Sequence, residues 1–443
     1  MRTWHRLSAA VATAASLSVL AACGGGTAAT TPAAAGTTTG TATTAPAEAV
    51  TLTWWHNSNT DPGKSVYEKV AADYMAAHAG VTIKIEAMAH QDMLTKLNNA
   101  WQSGTGIPDV YMERGGGELA SHVAAGLTKD ITESAAPTLA KISAYVPSFS
   151  VGDRAYALPF SMGIVGFWYN KSLFAKAGVD APPTTVDELI AASDKLKQAG
   201  IEPISLGARD LWPAAHWWYY LALRQCSQDV LVDALAKKVF TDPCFVAAGD
   251  TLAKIVAAEP FNKGFLNTPA QEGATSASGL LANGKVAMQL MGHWEPGVMQ
   301  GLTEDKQGLG DDTGWFPFPA VEGGQGDPAA AVGGGDAWAC SFNAPEQCVD
   351  FISYLLSDEV QKTFAENSMG LPTNPAASGS VADPVLSDLL ASRDAAPFVQ
   401  LYFDTALGEN ISGAMNPAIV AIFAGKGNAQ AVVDAMTKAA ANE

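Results

Sequence analysis

From Val50 onward the chain alternates between two hydrophobic periods. "VTLTWW" (50–55) is short, β-branched and aromatic, as strands are. "KSVYEKVAADYMAAHAG" (64–80) then places Val66, Val70 and Tyr74 at helical spacing, with Gly80 suited to end the helix. "VTIKIEAM" (81–88) alternates again, "DMLTKLNNAW" (92–101) returns to helix, and "IPDVYM" (107–112) to strand. Thr185 and Glu188 make a capping box ahead of a periodic run to Gln198, and Gly200 closes it before the strand "IEPISLG" (201–207). Pro213 stands in the first turn of "WPAAHWWYYLALRQ" (212–225), and the tail from Asn416 reads as helix to the end. Alternation of this kind predicts an α/β protein whose parallel or mixed sheets carry helices on both faces.

The body from Val50 to Glu443 is too long for one ordinary core, so two lobes are expected. What precedes it is different in kind. Arg2 and Arg6 open a positive leader, Leu7 to Leu20 carries no charge, and small residues follow, the grammar of an export signal over 1–22. The apolar run is shorter than the roughly 20 residues that span a bilayer. Leu20-Ala21-Ala22-Cys23 resembles the bacterial lipobox, which implies a lipidated Cys23 and an anchor on a membrane. Residues 23–49 are mostly Thr, Ala, Gly and Pro without an aromatic side chain. They cannot bury enough surface to offset their ordering entropy and read as a tether.

Charge narrows the partners. With 44 acidic against 26 Lys and Arg residues, the net charge of −18 argues against nucleic acid and against direct contact with an anionic membrane surface. Four cysteines remain after Cys23. In an oxidising compartment an even number suggests disulfides, and the most local pairing is Cys226–Cys244 with Cys340–Cys348. The first would staple a helix end to the next helix start, the second a strand to its following helix. A metal is the rival reading, but no histidine stands at ligand spacing near them, so neither metal nor cofactor is expected.

In sheets with helices on both faces, ligands bind at the carboxyl ends of strands. Those ends carry His56, Asn57, Ser58 and Asn59; Glu113, Arg114 and Gly115 to Gly117; Arg209, Asp210 and Trp212; His293, Trp294 and Glu295; and, after "AAV", Gly333 to Gly335, Asp336 and Trp338. Flat rings and planar charged groups meet at loops. Sugar hydroxyls favour carboxylate, guanidinium and amide partners, and the apolar face of a pyranose favours an aromatic platform. For "HWWYY" (216–220) core packing is expected for at least some rings, whereas Trp212 and Trp294 are expected to meet ligand. The glycine run is either a turn or a place of close backbone approach.

The order "LTWWHN", "DVYMERGG", "YALPFSMGIVGFWYNKSLFAKAG", "GKVAMQLMGHWEPG", "GGGDAWA" resembles the extracellular solute-binding proteins of ABC sugar importers, the maltodextrin-binding type, across essentially the whole body. The resemblance implies a two-lobed periplasmic-binding-protein-like fold of type II, with a hinge and an interlobe cleft. The chain would cross near Pro159–Ser161, return near Asp327–Val332 and cross again near Leu371–Asn374. This gives a first lobe of 50–160 plus 328–372 and a second of 161–327 plus 373–443. By that resemblance His56, Asn57, Glu113 and Arg114 would line the first lobe, Ser161 the hinge, and Arg209, Trp212, Trp294, Phe403 and Asp404 the second; the strand-end rule adds Asp210, Gly335 and Asp336 to the expected ligand contacts. The implied protein is a monomeric, lipid-anchored receptor on the extracellular face of the bacterial plasma membrane, with permease subunits as partners. "RDLWPAAHWWYYLALRQCS" (209–227) resembles binders of plant-derived β-linked oligosaccharides, and a di- or trisaccharide such as a xylo-oligosaccharide is the expected ligand. A secreted hydrolase is the rival class, with Glu113, Asp210, Glu295 and Asp336 as candidates for a carboxylate pair.

Overall fold

A computed structural model describes residues 49–442, so the leader, Cys23 and the tether up to residue 48 lie outside the described residues. The strands are β1 (Val50–His56), β2 (Val81–Ala87), β3 (Val110–Glu113), β4 (Ser150–Val151), β5 (Arg154–Ala155), β6 (Ala157–Asn170), β7 (Glu202–Ser205), β8 (Val286–Gly292), β9 (Thr313–Phe316), β10 (Ala331–Cys340) and β11 (Val399–Leu401). β4 and β5 form a small hairpin. The others run β2-β1-β3-β10-β6-β8-β7, with β11 beside β10 and β9 beside β6. Toward the two ends the β2–β1, β1–β3 and β7–β8 pairs are parallel, as helical crossovers require; in the middle β3–β10, β10–β6 and β6–β8 are antiparallel, and β11 alone lies parallel to β10.

Two strands in the middle join two lobes. β6 pairs with β10 over Ala157–Ile164 and with β8 over Val165–Tyr169. β10 continues to β3 through Ala337–Cys340. A third passage runs alongside: Pro372 bridges Ser161, the Met162 N–H donates to the Leu371 carbonyl at 3.0 Å, and the Thr373 hydroxyl donates to the Pro159 carbonyl at 2.6 Å. On one side of these passages Trp54, Tyr67, Phe160, Trp338, Phe351 and Phe364 share a core. On the other Trp217, Trp218, Tyr220, Phe245 and Phe318 share another. Ala330 and Val332 pack in this second core and Trp338 packs in the first, so the second passage falls within β10, later than 327–332.

The glycine run was expected after a strand; it lies inside one. β10 continues through Gly333–Gly335 with no room for side chains, since β6 stands against Gly333 and Gly335 and the Tyr402 ring against Gly334. A Cβ on Gly335 would stand 1.7 Å from the Ser161 carbonyl oxygen. The ladder then shifts register between Asp336 and Ala337, the kind of irregularity that re-aims a side chain.

The Thr185–Glu188 capping box is formed, and Pro213 sits in the first turn of the helix Trp212–Gln225. Both local disulfides are present, with Cα separations of 5.1 Å for Cys226–Cys244 and 6.1 Å for Cys340–Cys348. The first skips the helix Gln228–Lys237 and reaches the one after it, Pro243–Ala257. The tail differs from expectation: Asn416 lies inside the helix Glu409–Phe423, and a second helix, Ala429–Ala440, follows. Gly425, at φ 65°, ends the first, and Asn428 caps the second by accepting the Ala431 N–H.

Candidate functional site

A cleft opens where the strand ends of the two lobes face each other. From the first lobe, Asn57, Ser58 and Asn59 follow β1, His90 begins the helix His90–Ser103 and Arg114 follows β3; Gly335 and Asp336 come from β10. From the second, Trp212 and His216 stand one turn apart on the helix Trp212–Gln225, and His293 and Trp294 follow β8. Tyr402 and Asp404 follow β11, and Ser161 lies on β6 in the floor. The rings form a connected wall. Trp212 and Trp294 have centroids 6.2 Å apart at 62°, Trp212 meets His216 at 5.3 Å, and His216 stacks on Tyr402 at 5.2 Å and 18°. His90 closes on Trp212 from the other lobe at 6.4 Å. The Trp294 indole folds over Gly292, where a Cβ would come within 2.3 Å of the ring.

The polar groups are held in defined states. Arg114 donates through Nε to Glu118 at 3.2 Å, makes a second, closer contact with Glu118 through Nη2, and donates through Nη1 to Asp404 at 3.4 Å. Burial works against its charge, but Glu118 and Asp404 more than restore it, so the guanidinium stays protonated. Burial raises the Asp336 carboxyl to about 6 against the pull of Arg114. It lowers His90 to about 3, His216 to about 4 and His293 to about 3, so all three imidazoles are neutral at physiological pH. His90 Nδ1 lies 3.2 Å from the Asn57 amide, and His293 Nε2 lies 2.8 Å from the Ser161 hydroxyl. The Tyr402 hydroxyl, His216 Nδ1 and His293 Nδ1 are buried with no hydrogen-bond partner among the described residues. Buried polar atoms in that state are costly, and a ligand rich in hydroxyls can satisfy them.

Of the residues singled out from sequence, Asn57, Arg114, Ser161, Trp212, Trp294, Gly335, Asp336 and Asp404 line the cleft. Five do not. His56 is fully buried among the Trp54 and Tyr67 rings, because strand alternation turns it into the core. Glu113 is buried beneath the cleft, accepting from the Arg114 N–H at 2.9 Å and from His122. Arg209 points outward, half exposed, and pairs with Asp210 at 2.9 Å and Glu272 at 3.2 Å. Asp210 accepts from the Ala270 N–H at 2.7 Å, which fixes a loop. Phe403 is core, stacked on Tyr219. The four rings of "WWYY" (217–220) are likewise core, while the histidine before them faces the cleft.

Several lining residues escaped the sequence reading. His216 had a signal, since it stands four positions from Trp212 on one helix face. His90 follows β2 and obeys the same strand-end rule as Asn57. Tyr402 neighbours Phe403, and only the chain's turn into the short helix Phe403–Leu407 decides which ring enters the cleft. Gln271, Ser368 and Met369 come from irregular segments that carry no periodicity.

Comparison with known proteins adds the following. Residues 56–362 match the family model described as bacterial extracellular solute-binding protein. An ABC transporter extracellular-binding protein of Pyrococcus horikoshii, itself uncharacterised, is 27% identical over 63% of this chain and 61% of its own length. A solved structure described with xylan utilisation by the thermophilic bacterium Caldanaerobius polysaccharolyticus superposes with a TM-score of 0.80 at 24% identity, covering 88% of this chain and 99% of that one. A chitin oligosaccharide binding protein gives a TM-score of 0.78 at 23% identity, covering 89% and 98%.

Proposed function

Because the chain belongs to the bacterial extracellular solute-binding proteins, a family of receptors rather than catalysts, we propose that its cleft captures a β-linked di- or trisaccharide, a xylo-oligosaccharide foremost, and delivers it to the permease of an ABC importer. The observation that carries this reading is the joining of the Trp212–Trp294 wall to neutral imidazoles, a charged guanidinium and unpartnered buried polar atoms. Rings stack on pyranose faces; the polar groups divide the hydroxyls among donors and acceptors. The xylan and chitin oligosaccharide associations of two structural neighbours support a β-linked ligand.

The lobes, 50–160 with 337–372 and the rest of the body, hinge at Ser161, at Gly335–Asp336 and at Leu371–Thr373, and close over the sugar. A lipid on Cys23 holds the monomeric receptor at the outer face of the plasma membrane, and residues 24–49 let it reach the permease. A hydrolytic role has little support from the geometry. Of Glu113, Asp210, Glu295 and Asp336, Asp336 alone lines the cleft. The further cleft carboxylate, Asp404, is paired with Arg114, and burial pushes Glu295 up to about 8, leaving it mostly uncharged. The test is a thermal-shift screen over xylo-, cello-, malto- and chito-oligosaccharides with mass spectrometry of the recovered sugar. A shift with intact sugar supports capture; cleavage products would revive the hydrolase.

A further inference from the structure

The helix Gly116–Ala124 carries Glu118, which holds Arg114, and one turn later His122, which serves nothing in the cleft. His122 is 6% exposed. Its Nδ1 lies 2.8 Å from Glu113 Oε2, so a neutral ring keeps its proton there and presents its lone pair at Nε2. That Nε2 is buried without a hydrogen-bond partner among the described residues and faces Glu409 Oε1 at 4.0 Å. Glu409 begins the helix Glu409–Phe423, and its half-exposed carboxylate also accepts from the Asn98 amide at 3.2 Å. One ligand atom from each of Glu118, His122 and Glu409 lies within 4.8 Å of the others.

We propose that Glu118, His122 and Glu409 form a binding site for a divalent metal of the zinc class, with Glu113 orienting the histidine. One imidazole nitrogen and two carboxylate oxygens are borderline donors that suit zinc, with water completing a tetrahedron. A carboxylate behind the ligating histidine is the arrangement that fixes tautomer and ring direction at such sites. The ligand atoms need to draw in to about 3.3 Å apart for tetrahedral zinc, and the long, half-exposed Glu409 side chain has the freedom to do so. The surroundings also call for a cation. Three carboxylates ring His122, and Arg114 is already shared between Glu118 and Asp404. A proton is the competing occupant of that nitrogen, and a metal bound there displaces it. The metal would tie the helix beside Arg114 to a helix of the second lobe's core. The sequence hint was the i, i+4 pair Glu118 and His122 in "ELASH" (118–122), with its third member nearly three hundred residues away.

The test is calorimetric titration of chelator-stripped full-length protein with zinc chloride, in two buffers of different ionisation enthalpy. Expected is one zinc per chain with a dissociation constant of about 1 µM or tighter and about one proton released. Glu409→Gln, a surface change that leaves the fold intact by circular dichroism, weakens uptake by at least about tenfold. His122→Gln abolishes it. No uptake at zinc on the order of 100 µM overturns the proposal. So does unchanged affinity in Glu409→Gln, which would put the metal elsewhere, as among the cleft histidines. Nitrogen NMR showing His122 still an imidazolium at saturating zinc would also overturn it.

Discussion

The first lobe's wall of the cleft offers an amide, an imidazole and a guanidinium, those of Asn57, His90 and Arg114, beside Tyr67 and Phe160, two rings of its core. The facing wall offers rings in contact with one another: Trp212, Trp294, His216 and Tyr402. Rings supply area and tolerate several sugars, because most pyranoses have an apolar face; hydrogen-bonding groups on a fixed backbone discriminate among hydroxyl patterns. Affinity is thus expected to reside mainly in the second lobe and selectivity in the first. A similar contrast appears along a single helix, where Trp212 faces the cleft at one end and Trp217, five residues on, has no exposed surface.

The largest effect should come from the core side of that contrast. Trp217→Ala empties a fully buried site against Phe167 and Phe318 and should cost about 3–5 kcal/mol of stability, read in a urea melt. Trp212→Ala should leave the melt close to wild type and weaken sugar binding by about 2–4 kcal/mol, roughly thirtyfold to a thousandfold. If Trp212→Ala binds as wild type, the platform role is wrong.

Asp336 sharpens the comparison through pH, with opposite signs for stability and binding. Its pKa, raised to about 6 by burial, means that the folded protein binds this proton more tightly than the unfolded chain does. The cost of the buried carboxylate is absent below about pH 4 and fully present above its folded pKa, so Asp336→Asn should gain about 1–3 kcal/mol near neutrality and little in acid. Sugar affinity should fall as pH drops through about 6, as expected of a carboxylate beside Arg114, Tyr67 and Tyr402 that loses an acceptor on protonation. Titrations and melts of wild type and Asp336→Asn across that window check both signs. A wild-type profile that the substitution leaves unaltered would remove Asp336 from the account.

The smallest effect is expected at Arg209, whose exposed pairs with Asp210 and Glu272 lie away from the cleft. Arg209→Ala should change affinity by no more than about twofold and stability by under about 1 kcal/mol. A large loss of binding would return it to the sugar site.

Much of the fold was legible in the chain because its signals are local and periodic. The capping box at Thr185 and the alternation of Val81, Ile83 and Ile85 follow from neighbours within a turn or two, and the cysteine pairs are the most local ones, 18 and 8 residues apart. The cleft was legible only to the level of strand ends. Which residue at an end enters the cleft depends on strand parity, which sends His56 inward and leaves Asn57 in the cleft. It also depends on register between strands far apart in sequence, as where β10 shifts at Asp336 against β6. Gly333–Gly335 misled because glycine weakens a strand on its own; here the neighbouring strand β6 and the Tyr402 ring leave room for nothing larger.

The central claim is that two unlike walls grip one sugar, and calorimetric titration with xylobiose and xylotriose, then with the other β-linked oligosaccharides, tests it most directly. The account predicts one site per chain with a dissociation constant of about 10 µM or tighter, lost in Trp212→Ala while that variant remains folded. Absence of binding by every xylo-, cello- and chito-oligosaccharide at about 1 mM would contradict it.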